Sequence, residues 1–281
     1  MTFRGWVRHQ QLVQRLTGWG TRSVASWMSL TRVLWRLALA VSVALPYLAT
    51  WYNPHLIWYA LGLLGAVLLL TLWHQWTNWR VTTSWLVAGF VLTAFWGSTF
   101  AMWLFLENSL YRVALLGLVV LGTWWYLGEW QRLRHTMFVG EAGAGATPTL
   151  LLGFIACFSL GAVAESFLVY LNTPLWRVGL ACWLPAALLV PAFVYASGWS
   201  LLERSAYWIT GMAVMLQVFI LATWWPTSFY VVGFTLAVTY TIVALLMRQE
   251  AQGFLNRRSL ARELGVVGAA LGLVLLTARW F

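Results

Sequence analysis

The sequence contains no lysine and no aspartate, and only 9% of its 281 residues are charged. A retinal Schiff base requires a lysine, which excludes a light-driven rhodopsin. The missing aspartates exclude the paired aspartates of an intramembrane protease or of magnesium-dependent diphosphate chemistry. An ordinary soluble domain carries about 25% charged residues, so a water-soluble fold of this composition would expose large apolar patches. The composition therefore favours a fold surrounded by lipid.

Motifs that carry catalysis or bind metals are scarce as well. The two cysteines, Cys157 and Cys182, lie inside apolar runs, which predicts small buried hydrophobes and not a disulfide framework. The four histidines show no spacing typical of a metal site, and the patterns HExxH and GxSxG do not occur. A membrane-embedded transferase for lipid-linked substrates generally needs several acids near one face for metal or base chemistry. Near the outer face we expect only Glu107 and, deeper, Glu165, so this function is the least favoured. The sequence identifies no particular cofactor, and it leaves undecided whether the protein is an enzyme, with the scarcity of motifs weighing against catalysis.

Apolar residues, by contrast, make up 62% of the chain. Nine runs come close to the roughly 20 residues with which a helix crosses the hydrocarbon layer of a bilayer. Lipid offers no partner for free backbone N–H and C=O groups, so each run is predicted to be helical. The predicted fold is an all-α, polytopic transmembrane helical bundle of about nine spans. The runs cover residues 33–52, 56–75, 83–106, 109–128, 149–171, 175–197, 206–225, 228–247 and 264–280.

The 17 arginines are distributed unevenly over the two sides that alternating spans would give. Only Arg112, Arg177 and Arg279 fall on the side opposite the N-terminus, and the other 14 share the N-terminal side. Because arginine collects on the cytoplasmic side of membrane proteins, the N-terminus is predicted to be cytoplasmic and, after nine spans, the C-terminus outside. The net charge of +10 then faces the anionic headgroups of membrane lipids, and we expect no nucleic-acid partner. The expected location is the plasma or inner membrane of the cell.

The segments between the spans suggest a division into two halves. The stretch GEAGAGATPT is rich in glycine and alanine, as flexible linkers are. Two basic segments, 1–30 and 248–263, are predicted to form amphipathic helices on the inner leaflet, with a solvated linker as the alternative for each. The predicted divisions are a cytoplasmic basic amphipathic segment at 1–30, a first four-helix half at 31–139, a flexible linker at 140–148, a second four-helix half at 149–247, a basic cytoplasmic loop at 248–263 and the ninth span at 264–281.

The two halves resemble each other when the chain is shifted by 119 residues. The shift aligns Asn53 with Asn172, and it aligns the string SLYRV, which contains Tyr111, with SFYVV, which contains Tyr230. Four spans per half would give both halves the same orientation, which predicts a parallel 4+4 repeat with a cleft between the halves and one additional helix. Chance identity between apolar sequences is the alternative.

Glu165 is the most informative single residue, because it lies about two turns inside the predicted fifth span. A carboxylate in the hydrocarbon costs several kcal/mol unless it is paired, hydrated or protonated. This predicts a proton, cation or ligand site, with a structural hydrogen bond or an ion pair to Arg177 as the alternative. At a similar predicted depth lie Gln217, Thr235 and Ser98, and together with Arg177 at the start of the sixth span they complete the candidate intramembrane polar site.

Two further patterns concern helix shape and packing. Pro185 and Pro191 both fall in the sixth span, where each removes a helical hydrogen bond, so we predict a kinked helix that acts as a hinge. The ninth span carries Gly265, Gly268 and Gly272 on about one face. Small residues let helices approach closely, which predicts self-association or docking onto a protein partner, with packing inside the monomer as the alternative.

These features lead to two functional hypotheses. The first is a transporter or channel-like protein for a small or lipidic solute, based on the repeat, the kinked sixth span and Glu165. The alternative is a non-catalytic subunit or assembly factor of a larger membrane complex, based on the short loops and the glycines of the ninth span. The two hypotheses differ in whether a cavity should surround the polar residues of the bundle.

Overall fold

The structure, a computed structural model, describes residues 33–78, 82–136, 146–197, 204–224 and 228–251, together with the single residues 261, 265, 268, 269 and 272. Within these ranges the chain is helical apart from short connections, and it contains no strand. An all-helical backbone is what an apolar chain requires where lipid cannot accept its hydrogen bonds.

Eight helices of the described chain are long and apolar enough to cross a membrane. Their starts agree with eight of the nine predicted runs to within a few residues, and the largest difference at an end is the extension of the fourth helix to Thr136. The helices are α1 (Val33–Tyr52), α2 (Ile57–Asn78), α3 (Thr82–Phe105), α4 (Ser109–Thr136), α5 (Ala146–Leu171), α6 (Leu175–Ala196), α7 (Ser205–Thr223) and α8 (Phe229–Ala251).

Several predicted segments lie wholly or mostly outside the described residues. These include the amphipathic segment at 1–30 and most of the ninth span at 264–281, so both stay predictions. Of the predicted linker at 140–148, the described part begins at Ala146 and already belongs to α5. Likewise α8 continues as far as Ala251, which takes the first residues of the predicted loop at 248–263 into the helix.

Helices α3 and α5 occupy the centre of the described bundle. In each of these two helices 67% of the most apolar stretch is buried inside the bundle, against 17% for α2 and 22% for α4 and α7. The peripheral helices expose large apolar side chains such as Leu69, Trp73 and Leu121, which suits a surface covered by lipid. Under the predicted repeat, α3 would be equivalent to α7. In the structure α3 is central and α7 is peripheral, which gives the repeat no support, and it stays a prediction.

The closest helix pair is α5 with α8, and glycines permit the approach. A Cβ atom on Gly161 of α5 would lie 2.8 Å from the Cα atom of Gly233 on α8. About two turns nearer the start of α5, Gly153 leaves room for the fully buried ring of Tyr240, whose hydroxyl donates to the Thr149 carbonyl at 3.4 Å. Close backbone contact of this kind stabilises helix pairs in lipid, where no hydrophobic force acts between them.

Helices α1, α3 and α4 meet in a buried aromatic cluster. The Tyr47 hydroxyl of α1 donates to the Trp96 carbonyl at 3.1 Å and lies 2.9 Å from the Thr99 hydroxyl of α3. The indole N–H of Trp96 donates in turn to the Thr123 hydroxyl of α4 at 2.8 Å. The Tyr47 ring also meets the Trp103 ring edge to face, with centroids 5.4 Å apart. Polar atoms of the cluster are thus satisfied while its rings fill the core.

Candidate functional site

A cavity of about 430 Å³ lies at one end of the described bundle. It is bordered by the last turn of α3, the connection 106–108, the first turn of α4, the last two turns of α5 and the first turn of α8. We call this end of the bundle the cavity end. The ten lining residues are Leu104, Phe105, Leu106, Glu107, Asn108, Tyr111, Ser166, Tyr170, Phe229 and Tyr230.

The connection between α3 and α4 places Glu107 at the cavity. Asn108 begins α4 by accepting the backbone N–H of Leu110 on its side-chain oxygen at 2.9 Å, an ordinary N-terminal cap. Arg112, one turn along α4, donates from Nε to the Leu106 carbonyl at 2.6 Å, and its guanidinium lies 5.7 Å from the centroid of the Trp103 ring. Hydrogen bonds therefore fix the residues on both sides of Glu107, Leu106 and Asn108, while the Glu107 side chain is exposed at the cavity end.

Three tyrosines from three different helices border the cavity: Tyr111 of α4, Tyr170 of α5 and Tyr230 of α8. They are 54%, 64% and 38% exposed, so their rings are accessible to a bound molecule. Phe229 adds a further ring, tilted against Tyr230 with centroids 4.0 Å apart. The cavity therefore combines an aromatic wall with one carboxylate.

Glu165 precedes a lining residue in the sequence of α5 and is not itself one of the lining residues. It is 8% exposed, and its Oε2 atom is buried with no hydrogen-bond partner in the described structure. The next residue, Ser166, lines the cavity and donates to the Ala162 carbonyl at 2.9 Å. Six residues separate Glu165 from the end of α5, which corresponds to about 9 Å along the helix axis.

The predicted ion pair between Glu165 and Arg177 does not form. Arg177 is exposed near the start of α6, and its guanidinium lies 5.2 Å from the centroid of the neighbouring Trp176 ring. An arginine over an indole face is stabilised where it is (a cation–π contact), without a carboxylate. The described structure contains no ion pair between these two residues, and the role of Glu165 stays a prediction.

The remaining predicted companions of Glu165 have partners or positions of their own. Ser98 is buried and donates to the Phe95 carbonyl of its own helix at 3.1 Å. Thr235 donates to the Val231 carbonyl at 2.8 Å, again within its helix. Gln217 is exposed on α7. None of the three lines the described cavity, and their grouping with Glu165 as one polar site stays a prediction.

The prolines of α6 accompany a local change of helix type. Residues Gly179–Trp183 form a π-helical turn, in which the Leu184 N–H donates to the Gly179 carbonyl five residues back. Pro185 follows directly and has no N–H to continue the ladder, which is the physical reason for a wider turn at this place. Pro191 lies inside the α-helical part that follows. The use of this interruption as a hinge stays a prediction.

The glycines of the predicted ninth span have no near neighbours among the described residues. A Cβ atom built on Gly265, Gly268 or Gly272 would meet no other atom within 4 Å. The alternative in which these glycines pack against the described helices of the monomer is therefore not what the structure contains at these positions. Their role in self-association or in binding a protein partner stays a prediction.

Most lining residues of the cavity were not predicted as a site. Tyr170 and Phe229 carry no signal beyond an aromatic residue at a helix end, where tyrosine and tryptophan are common. A weak signal existed for Tyr111 and Tyr230, which occupy matching positions under the shift of 119 residues. Glu107 was recognised only as an outer acid. Their shared location depends on how four helix ends pack.

Comparison with known proteins gave no match, whether to a protein-family model, to a curated protein or to a solved structure. Among the residues that the structure describes, no group of three or more histidine, cysteine, aspartate or glutamate side chains is placed to hold a metal ion. The function therefore has to be argued from the geometry of the site.

Proposed function

We propose that the protein is a transporter or channel-like protein for a small or lipidic solute, and that the cavity is where the solute first binds. The observation that carries this proposal is a cavity of about 430 Å³ bordered by four helices at one end of a membrane-type bundle. Ligand pockets commonly measure about 300–1,000 Å³, with apolar walls and a few polar groups. The cavity fits this description in its size, and its lining is richer in polar groups, with six of the ten lining residues carrying one.

Glu165 supplies the second support for the proposal. Its partnerless carboxyl oxygen lies one residue from the cavity-lining Ser166, in a part of α5 where all residues from Gly161 to Ser166 are buried. A carboxyl group in such surroundings has a high cost that a bound proton, cation or solute can offset. We infer that Glu165 receives the solute or a coupled ion as it leaves the cavity toward the bundle centre.

Flux through reconstituted liposomes tests the proposal. Purified protein is inserted into liposomes, which are challenged with glycerol, potassium chloride or choline chloride while volume is followed by light scattering. A fluorescent phospholipid with dithionite quenching covers lipidic solutes. We expect at least one probe to cross faster than in protein-free liposomes, and Glu165→Gln to abolish the difference.

A matched control separates a specific effect from a general loss of charge. Glu250→Gln makes the same chemical change at the opposite end of the bundle, where Glu250 is exposed and accepts from the Tyr207 hydroxyl at 3.2 Å. This variant should keep the wild-type flux. If every probe crosses liposomes containing the wild-type protein no faster than it crosses protein-free liposomes, the proposal is wrong.

We further propose that the chain sits in the plasma or inner membrane with its N-terminus in the cytoplasm, that it has nine spans, and that its two halves form a parallel repeat. The arginine distribution supports the orientation. The number of spans decides the side of the C-terminus. Alkaline phosphatase fused after Phe281 in a bacterial host should be active with nine spans and inactive with eight, and a fluorescent-protein fusion should behave oppositely.

The second candidate function is a non-catalytic subunit of a membrane complex. It is favoured by Gly265, Gly268 and Gly272, for which an added Cβ atom meets no other atom of the described residues within 4 Å, because such glycines are typical of contacts between helices in membranes. This function predicts a chain that is inactive alone in the flux assay. It also predicts that Gly268→Leu changes the size of the assembly on native gels, whereas Gly97→Leu on the exposed side of α3 does not.

A further inference from the structure

We propose that the cavity recognises an organic cation with a substituted ammonium group, either a free small molecule or the headgroup of a zwitterionic lipid. This proposal rests on the proposed function only in using the same cavity, and it names the chemical class of the solute. The structural basis is the combination of one carboxylate with an aromatic wall in a single accessible space.

The charge of the cavity favours a cation. Glu107 is the only charged residue among the ten that line it. The nearest arginine along the chain, Arg112, does not line the cavity, because its Nε donates to the Leu106 carbonyl and its guanidinium faces the Trp103 ring. An anionic solute would therefore meet a carboxylate and no lining cation.

The walls of the cavity favour a cation that is large and weakly hydrated. Half of the lining residues carry an aromatic ring, and the rings come from α3, α4, α5 and α8. The negative faces of aromatic rings attract cations, and clusters of rings recognise quaternary ammonium groups. Tyrosines at a helix end are ordinary in membrane proteins. A cluster from four helices that shares one space with a carboxylate is the feature that points to a ligand.

Two of the polar groups at the cavity are already engaged within the protein. The side-chain oxygen of Asn108 accepts the Leu110 N–H, and the Ser166 hydroxyl donates to the Ala162 carbonyl. The Glu107 carboxylate and the tyrosine rings are the groups that remain for a ligand, and both attract a cation.

Binding measurements with a charged and a neutral molecule of the same shape test the charge preference. The probes are choline and 3,3-dimethylbutan-1-ol, in which carbon replaces the ammonium nitrogen. Titration calorimetry on the full chain in phosphatidylglycerol nanodiscs should give choline at least tenfold tighter binding than the neutral analogue. Equal binding of the two probes, or no binding of choline, would overturn the proposal.

Variants then locate the binding site. Glu107→Gln and Tyr230→Leu should each weaken choline binding about tenfold, and Tyr230→Phe should retain most of it because the ring remains. Two matched controls, Glu250→Gln and Tyr59→Leu, change the same residue types at positions that do not line the cavity and should leave binding unchanged. Unaltered binding in Glu107→Gln, with the variant folded by its melting curve, would contradict the proposed site.

The source of the cation is decided by the lipid. The fraction of phosphatidylglycerol is held constant, because an anionic surface itself concentrates cations. If the natural ligand is a headgroup, replacing phosphatidylethanolamine by phosphatidylcholine in these nanodiscs should raise the apparent Kd of soluble choline. If the ligand is a free molecule, this replacement should leave the Kd unchanged. The binding and flux results are also separable. Choline binding without flux of any probe would leave this proposal standing and remove transport, and flux without choline binding would do the reverse.

Discussion

The contact between α5 and α8 offers the sharpest test of the structure, through the substitution Gly233→Ala. The added methyl group would collide with the backbone carbonyl oxygen of Phe158 and lie 3.2 Å from the Ala162 nitrogen. The colliding atoms belong to the backbone of α5, so no side-chain rotation can relieve the collision. One helix has to move relative to the other.

The size of the effect follows from two opposing terms. Inserting a methyl group into a well-packed interior typically costs about 1–3 kcal/mol, and a backbone collision places Gly233→Ala toward the upper end of this range. Replacing glycine by alanine inside a helix returns up to about 1 kcal/mol. We therefore expect a net destabilisation of about 2 kcal/mol. For a chain of this size, this corresponds to a decrease in Tm of about 4–8 °C.

The protein carries its own reporters for this measurement. Cys157 on α5 and Cys182 on α6 are free and buried, and they are the only cysteines of the chain. A dye that becomes fluorescent on reaction with thiols should label them only as the bundle unfolds. The melting curve in detergent therefore reports the loss of the structure around α5 and α6.

Gly97→Ala is the matched control. It makes the same change in the middle of α3, where an added Cβ atom meets no other atom within 4 Å. Only the helix-propensity term remains, so the Tm of this variant should be unchanged or slightly raised. A Gly233→Ala protein that melts with the wild type, or a Gly97→Ala protein that melts equally early, would refute the described packing of α5 on α8.

Three further predictions use the same melting assay. Tyr47→Phe removes a buried hydroxyl that contacts Trp96 and Thr99, and should destabilise the bundle by about 1 kcal/mol, whereas Tyr59→Phe, at a position 78% exposed, should have no effect. Gly153→Ala adds a methyl group against the fully buried Tyr240 ring and should lower the Tm as Gly233→Ala does; a wild-type Tm would contradict that contact. Asn108→Ala removes the cap of α4 and should cost about 1 kcal/mol; the same variant should also weaken choline binding if the cap holds Glu107 in place.

The helices were the part of the structure that the sequence determined most directly. In lipid, an apolar run of about 20 residues has hardly any alternative to a helix, so the starts of α1 to α8 could be predicted to within a few residues. The end of α4 could not, because polar residues such as Glu129 and Arg132 end the apolar run while the helix continues to Thr136. Hydropathy marks where a chain can enter lipid, and it does not mark where a helix stops in water.

Packing between the helices was beyond prediction from one sequence. All the helices are apolar on most faces, so periodicity does not reveal which face is buried. The glycines at 161 and 233 fit each other only because both lie on the contact between α5 and α8. Nothing in the chain distinguishes them beforehand from Gly62 or Gly117, which have no atom within 4 Å of an added Cβ. The glycines of the ninth span form a recognisable pattern within one helix, whereas Gly161 and Gly233 lie on two different helices and form no pattern in the sequence.

Energetic cost also separates Glu165, which could be predicted as a candidate residue, from the cavity, which could not. Sequence analysis detects residues that are costly in their surroundings, and a carboxylate inside an apolar run is costly. Glu107, Tyr111, Tyr170 and Tyr230 are each inexpensive at a helix end, so no energetic signal accompanies them. Their chemistry depends on convergence, and the close α5–α8 contact is what brings Tyr170 and Tyr230 to one space. A variant that separates α5 from α8 should therefore weaken cation binding even though it changes no lining residue.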